Sequence, residues 1–158
     1  PHGRYGSRDG QAHLMSKGEA GAFRTLDDAD VAGKRVLLRV DLNVPMSKGV
    51  VSDLTRITRV VPTIKELSDK GAKVILLSHF GRPKGKREHD DSFAPVVGAV
   101  SKALGRPVAF AVDCGGEAAG DAISAMADGD ALPLENTLYH AGEEQNAPDR
   151  SRALPEHR

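Results

Sequence analysis

Residues 34–45 read KRVLLRVDLNVP, and this stretch decides the architecture. Val36, Leu37, Leu38 and Val40 form an apolar run of strand length, as expected of a strand buried in a parallel sheet. Arg39, Asp41 and Asn43 recur at every second position, so in an extended backbone they project from one face. Three polar side chains beside a hydrophobic run are costly to bury, so they point to a cleft that faces ligand or solvent.

Working outward, the turn at Gly33 introduces this strand, placed at 36–40. The loop 42–52 contains Pro45 and Gly49 and cannot continue a central strand. Ile57, Val60, Val61, Ile64 and Leu67 then fall at helical spacing, with Asp53 or Thr55 to cap the start and Gly71 to close the end. Pro62 interrupts that pattern and predicts a kink or the start of a second segment. Residues 73–78, KVILLS, supply the second strand, and strand, helix, strand implies a right-handed parallel crossover. Ser92 caps the next helix, with Pro95 in its first turn, Val96, Val97, Val100 and Leu104 as its apolar face, and Gly105 as its stop. A third strand is expected at 108–112, a helix at 117–126 and a weak fourth strand at 131–134. The fold class is therefore α/β, a Rossmann-like parallel sheet covered by helices on both faces.

The 158 residues allow one domain with a real core. Twenty-two basic and 22 acidic residues cancel, leaving no global field for nucleic acid or an anionic membrane. No run of about 18 apolar residues indicates a membrane span. Cys114 is the single cysteine, which rules out an internal disulfide and fits a reducing compartment. Residues 1–18 show neither period and lack the apolar core of a secretory signal. They read as a disordered N-terminal extension, of which residues 1–14 would lie upstream of a start at Met15, followed by a domain over 19–146 and a divergent tail over 147–158. Because the pattern fades after Asn136, the sheet is expected to be short of strands on one side. The exposed edge predicts poor solubility or a molten state.

His79, Phe80, Gly81 and Arg82 follow the second strand directly. In open parallel sheets ligands bind beyond the carboxyl ends of the strands, where Arg39, Asp41 and Asn43 also emerge. Two arginines and a histidine in one crevice outline an anion site, since guanidinium forks suit phosphate and carboxylate. The competing reading makes His79 and Arg82 ordinary loop residues. Arg56, at the start of the first helix, points into the same crevice or into water, and opposes the helix dipole unless a bound anion offsets it. Residues 81–87, GRPKGKR, fail as a nucleotide loop: three residues separate the glycines, and Arg87 stands where a magnesium-binding Ser or Thr is needed. A metal reading fails as well, because six scattered histidines lack ligand spacing and Cys114 has no sequence partner. Cys114 is read as a buried small apolar residue.

The motifs KRVLLRVDLNVP, DLTRITRVVPTIKEL, GAKVILLSHFGRPKG, VDCGGE and LENTLYHAGEE follow one another within the stretch from about Leu26 to Asn146. In that order the chain resembles the N-terminal domain of the phosphoglycerate kinases. The resemblance implies a cytoplasmic, monomeric glycolytic enzyme of two α/β domains facing a cleft. The N-terminal domain would bind 3-phosphoglycerate or 1,3-bisphosphoglycerate, and a C-terminal domain would bind Mg2+ with ADP or ATP. It further implies that Asp41 and Asn43 contact the substrate backbone. Arg39, His79, Gly81 and Arg82 would belong to the patch holding its phosphate and carboxylate. Arg56 would stabilise the phosphoryl group in flight, a role worth roughly 10³ to 10⁵ in rate. Two residues depart from the family pattern. Leu138 stands where the family carries a phosphate-binding arginine, and Pro133 removes a ladder donor from a strand otherwise aliphatic. The chain alone is then expected to hold half a site and not to turn over. The alternative is a non-catalytic anion-binding remnant or a truncated gene product.

Overall fold

In the computed structural model of the protein, the strand Lys73–Leu77 lies at the centre of a three-stranded sheet. The structure describes residues 25–84, 86 and 91–140. The expectations for residues 1–18 and 147–158, for Gly85 and Arg87, and for motif residues 141–146 lie outside the described residues. The chain divides at Asp30 into two units. In the first, Leu26–Asp28 forms one turn of 3-10 helix whose Asp28 carboxylate accepts the Thr25 amide at 3.0 Å.

The second unit runs β1 (Arg35–Arg39), β2 (Met46–Ser47), β3 (Val50–Val51), α1 (Thr55–Asp69), β4 (Lys73–Leu77), α2 (Ala94–Leu104), α3 (Gly116–Ser124) and β5 (Ala131–Pro133). The main sheet has the order β1-β4-β5, parallel throughout, with Arg39 opposite Leu77 and Leu76 opposite Pro133. Strand alternation sends Leu37, Ile75, Leu77, Leu132 and Leu134 into one core with Ala111, Cys114, Ile123 and Met126. Val74 and Leu76 point the other way, and α1 and α2 supply that side with Ile57, Ile64, Leu67, Val96 and Val100, all buried. Helices thus cover both faces. Each fully buried aliphatic side chain contributes roughly 1.5–3 kcal/mol.

The two glycine stops act where the sequence placed them, but the N-cap positions are Leu54 for α1 and Phe93 for α2 rather than Ser92, and neither carries a side-chain cap. Asp53 Oδ1 accepts the Thr55 amide at 2.7 Å, and hydrogen bonds from Thr55 hold the Asp53 carboxyl below its usual range. Gly71, at φ +80°, closes α1 in a Schellman motif: its amide reaches Ser68 O, and the Ala72 amide reaches Leu67 O. Gly105, at φ +72°, ends α2 with the same pair of bonds, to Lys102 O and Ser101 O.

Three expectations are corrected. α1 passes through Pro62 as one helix, so no second segment begins there. Pro62 and Thr58 lie on the exposed face, where the carbonyl deprived of an N–H meets solvent. The loop 42–52 contains an antiparallel hairpin, β2 with β3, and its turn residues Lys48 and Gly49 both take positive φ, as a type I′ turn requires. The expected third strand at 108–112 is reduced to a single parallel bridge, Ala111 with Leu134. Pro133 supplies the reason. The Leu134 amide bonds Leu76 O on the β4 side, so residue 133 faces away, where its carbonyl accepts the Ala111 amide at 3.1 Å. A proline there offers no N–H to carry the ladder further.

Candidate functional site

β1 and β4 run side by side in register, so both C-terminal ends open on the same edge of the sheet. The ladder continues one residue further through Val40 N to Leu77 O at 2.9 Å. Beyond it the exposed or half-buried positions 39, 41 and 43 alternate with Leu42 and Val44, which are buried. A three-residue turn, Val44 N to Leu42 O at 2.8 Å, then bends the chain at Asn43. Side chains stitch the two strand ends together. Ser78 Oγ accepts the Leu42 amide at 3.0 Å and donates to its neighbour's carbonyl, His79 O, while Asn43 Oδ1 accepts the Gly81 amide at 3.2 Å.

Arg56 resolves in favour of the crevice. Its Nη1 donates to both Asp41 carboxylate oxygens at 2.8 Å and to Asn43 O at 2.9 Å. Asp41 Oδ1 also accepts the Asn43 amide at 3.1 Å. The charge opposing the α1 dipole is therefore offset by a carboxylate of the chain itself. The pair is open to water, with side chains 48% and 59% exposed, so it is worth at most about 1 kcal/mol and a stronger anion can displace it.

Asp41, Asn43, Arg56 and Gly81 thus form one hydrogen-bonded set. Arg39 stands exposed at the end of β1, and half-buried His79 and exposed Arg82 lie on the loop after β4. Among the described residues, the side chains of His79 and Arg82 carry no hydrogen bond or ion pair with one another or with that set. Gly81 is required twice over: it sits at φ +58°, and a Cβ would fall on the Asp91 carboxylate. Gly81→Ala should cost about 2 kcal/mol or more in urea unfolding. A change under about 0.5 kcal/mol would show that Asp91 moves aside freely.

Two residues that sequence reasoning passed over hold this loop. Asn136, fully buried, accepts the Phe80 and Leu138 amides, both at 3.1 Å. Its Nδ2 donates to Phe80 O at 2.5 Å and to Asp91 O at 2.8 Å. Glu135, also buried, accepts Phe93 N at 2.7 Å, Ser92 Oγ at 2.8 Å and its neighbour Asn136 N at 2.8 Å, which puts a carboxylate at the N-terminus of α2. Both follow the buried strand β5, whereas Asp41 and Asn43 follow β1, which is a half-buried edge strand rather than the buried one expected, and the same rule of polar groups at strand ends would have found them. Leu138 is half-buried.

On the α3 side, His140 Nε2 lies 2.8 Å from Asp113 Oδ1, and the buried Cys114 Sγ points to Asn136 O at 3.8 Å. One ligand atom from each of Asp113, Cys114 and His140 lies within 4.8 Å of the others. The fold therefore gives Cys114 the neighbours that sequence spacing conceals.

Comparison with known proteins adds to this geometry. The family model for phosphoglycerate kinase matches residues 26–157. A phosphoglycerate kinase from Methylorubrum extorquens (strain PA1) is 65% identical over 133 residues, covering 84% of this chain and 33% of that protein. One from Methylobacterium radiotolerans is 68% identical over 126 residues, covering 79% and 32%. The solved structure of phosphoglycerate kinase from Coxiella burnetii superposes with a TM-score of 0.72 at 35% identity, over 83% of this chain and 32% of that one. The chain thus spans about a third of the length of the relatives it matches.

Proposed function

Since the chain belongs to the phosphoglycerate kinase family, we propose that it forms the part of such a kinase that holds 3-phosphoglycerate or 1,3-bisphosphoglycerate during reversible phosphoryl exchange with ADP. The observation that carries this reading is the bonded set of Asp41, Asn43, Arg56 and Gly81 where β1 and β4 end together, flanked by Arg39, His79 and Arg82.

In this reading Arg39, His79 and Arg82 hold the phosphate and carboxylate of the substrate, while Asp41 and Asn43 accept or donate hydrogen bonds along its carbon backbone. Arg56 leaves Asp41 for the phosphoryl oxygens. Phosphoryl transfer asks mainly for positioning and charge neutralisation, which is what a released guanidinium supplies. Mg2+ with ADP or ATP would neutralise the phosphoryl oxygens from the other side. Residues 81–87 lack the glycine spacing and hydroxyl that such a loop requires, so the nucleotide is assigned to the part of the protein that this chain does not span. The substrate is a soluble metabolite, the enzyme is read as a cytoplasmic monomer, and no described helix is long and apolar enough to cross a membrane.

Calorimetric titration with 3-phosphoglycerate tests the reading. Saturable binding is expected, and Arg82→Ala should weaken it roughly 10- to 150-fold, the loss of one charge-assisted hydrogen bond. No saturation at millimolar ligand would sink the proposal. Leu138, in place of an arginine, favours a second reading as a non-catalytic anion-binding remnant. That reading keeps the binding but predicts no phosphoryl transfer when the rest of a kinase is supplied.

A further inference from the structure

Two segments far apart in sequence meet beside α3: the turn after Ala111 and the residue closing the 3-10 turn Thr137–Tyr139. The bridge between Ala111 and Leu134 fixes their separation. Asp113 and Cys114 come from the first segment and His140 from the second, with one donor atom of each inside 4.8 Å. The carboxylate and imidazole are 32% and 38% exposed, and the thiol behind them is fully buried. The cluster thus has a solvent-facing mouth and a soft donor at its base.

We propose that Asp113, Cys114 and His140 bind a divalent cation of the zinc class, with water as the fourth ligand. The donor types argue for this class. Thiolate and imidazole suit Zn2+, whereas Mg2+ and Ca2+ take oxygen. The distances fit as well. Tetrahedral zinc holds S, N and O at about 2.0–2.3 Å, which sets donors roughly 3.3–3.7 Å apart. Drawing donors that now lie within 4.8 Å of one another to that spacing takes on the order of 1 Å of movement, and the Asp113 and His140 side chains are partly exposed. Asp113 Oδ1 also accepts the Cys114 amide at 2.7 Å, which steadies the carboxylate. On binding, the Cys114 S–H bond breaks, sulfur keeps the electron pair and donates it to the metal, and the proton leaves to solvent. Affinity therefore falls as pH falls. The competing account is a His–Asp contact above a small buried thiol, which predicts no metal-to-sulfur bond.

The purified chain, stripped of metal by chelator, is titrated with Co2+ and then with Zn2+ against a chromophoric competitor. One equivalent is expected, with a thiolate-to-cobalt charge-transfer band in the near ultraviolet that Zn2+ bleaches. That band needs no variant and by its absence overturns the proposal. Cys114→Ser should abolish it. Cys114→Ser and His140→Gln should each weaken zinc by more than the roughly 10- to 100-fold that removing an outer-shell partner costs. Zinc affinity unchanged in either variant also overturns the three-ligand site. In both, unchanged affinity would place the metal on the other histidines, such as His2, His13, His89 or His157.

Discussion

Asn136→Ala should lower the unfolding free energy by about 3–5 kcal/mol, a large share of the roughly 5–15 kcal/mol margin of an ordinary domain. Its side chain satisfies four backbone groups: Phe80 N–H and C=O, Asp91 C=O and Leu138 N–H. Alanine leaves all four without their partner, two in a buried and two in a part-buried setting, at about 1–3 kcal/mol each before relaxation and water entry reduce the sum. Asn136→Asp should do no better, because an ionised carboxylate turns an acceptor toward the two carbonyls that Nδ2 now serves. Urea unfolding followed by circular dichroism measures the change. A loss under about 1 kcal/mol would mean that the loop after β4 is held by something else. The same variant should weaken 3-phosphoglycerate binding, since His79 and Arg82 sit on the segment that Asn136 ties to the end of β5.

A second large effect is expected at Arg56. When the matching segment of the Methylorubrum extorquens relative is replaced by residues 26–140 of this chain, Arg56→Met in the hybrid should cut kcat by roughly 10³-fold or more. The resting contact with Asp41 sets the size of this effect. An ion pair exposed to this degree costs at most about 1 kcal/mol to open, so under the proposed role of Arg56 nearly all of its stabilisation of the phosphoryl group would appear as rate. Lysine should not rescue it, because a point charge cannot bridge two oxygens in a plane. A coupled ATP-forming assay reads the outcome. A fall of less than tenfold would remove Arg56 from the transition state and leave it as a partner of Asp41 alone.

The parts of the fold legible in the sequence are those written in local periodicity and caps. β1, expected at 36–40, is found at Arg35–Arg39, and the helix expected at 117–126 occupies Gly116–Ser124. Gly71 and Gly105 stop their helices because a left-handed residue was needed at each end. The hairpin β2–β3 was hidden because two-residue strands have no period to detect. The reduction of 108–112 to one bridge was encoded in Pro133, but its effect depends on which way residue 133 faces, a matter of register. At the site, alternation in VDLN and the position of His79 to Arg82 after a strand were readable. The clasp from Arg56 to Asp41, the grip of Asn136 and the meeting of Cys114 with His140 join residues 15, 56 and 26 apart, and tertiary packing alone creates them.

The strand order β1-β4-β5 carries a consequence for synthesis. β1, α1 and β4 emerge together and can pair at once, but the other edge of β4 waits for β5, whose first residue follows Leu77 by 54 positions. At about 5–20 residues per second the ribosome needs roughly 3–11 s to deliver it. Throughout that interval KVILL, the most apolar strand of the sheet, presents one open hydrogen-bonding edge to its surroundings. A nascent chain arrested after β4 has cleared the ribosome but before β5 has done so should therefore bind a trigger-factor-like holdase more tightly than one arrested after both are clear, because the later chain can use Leu132 and Leu134 to occupy that edge.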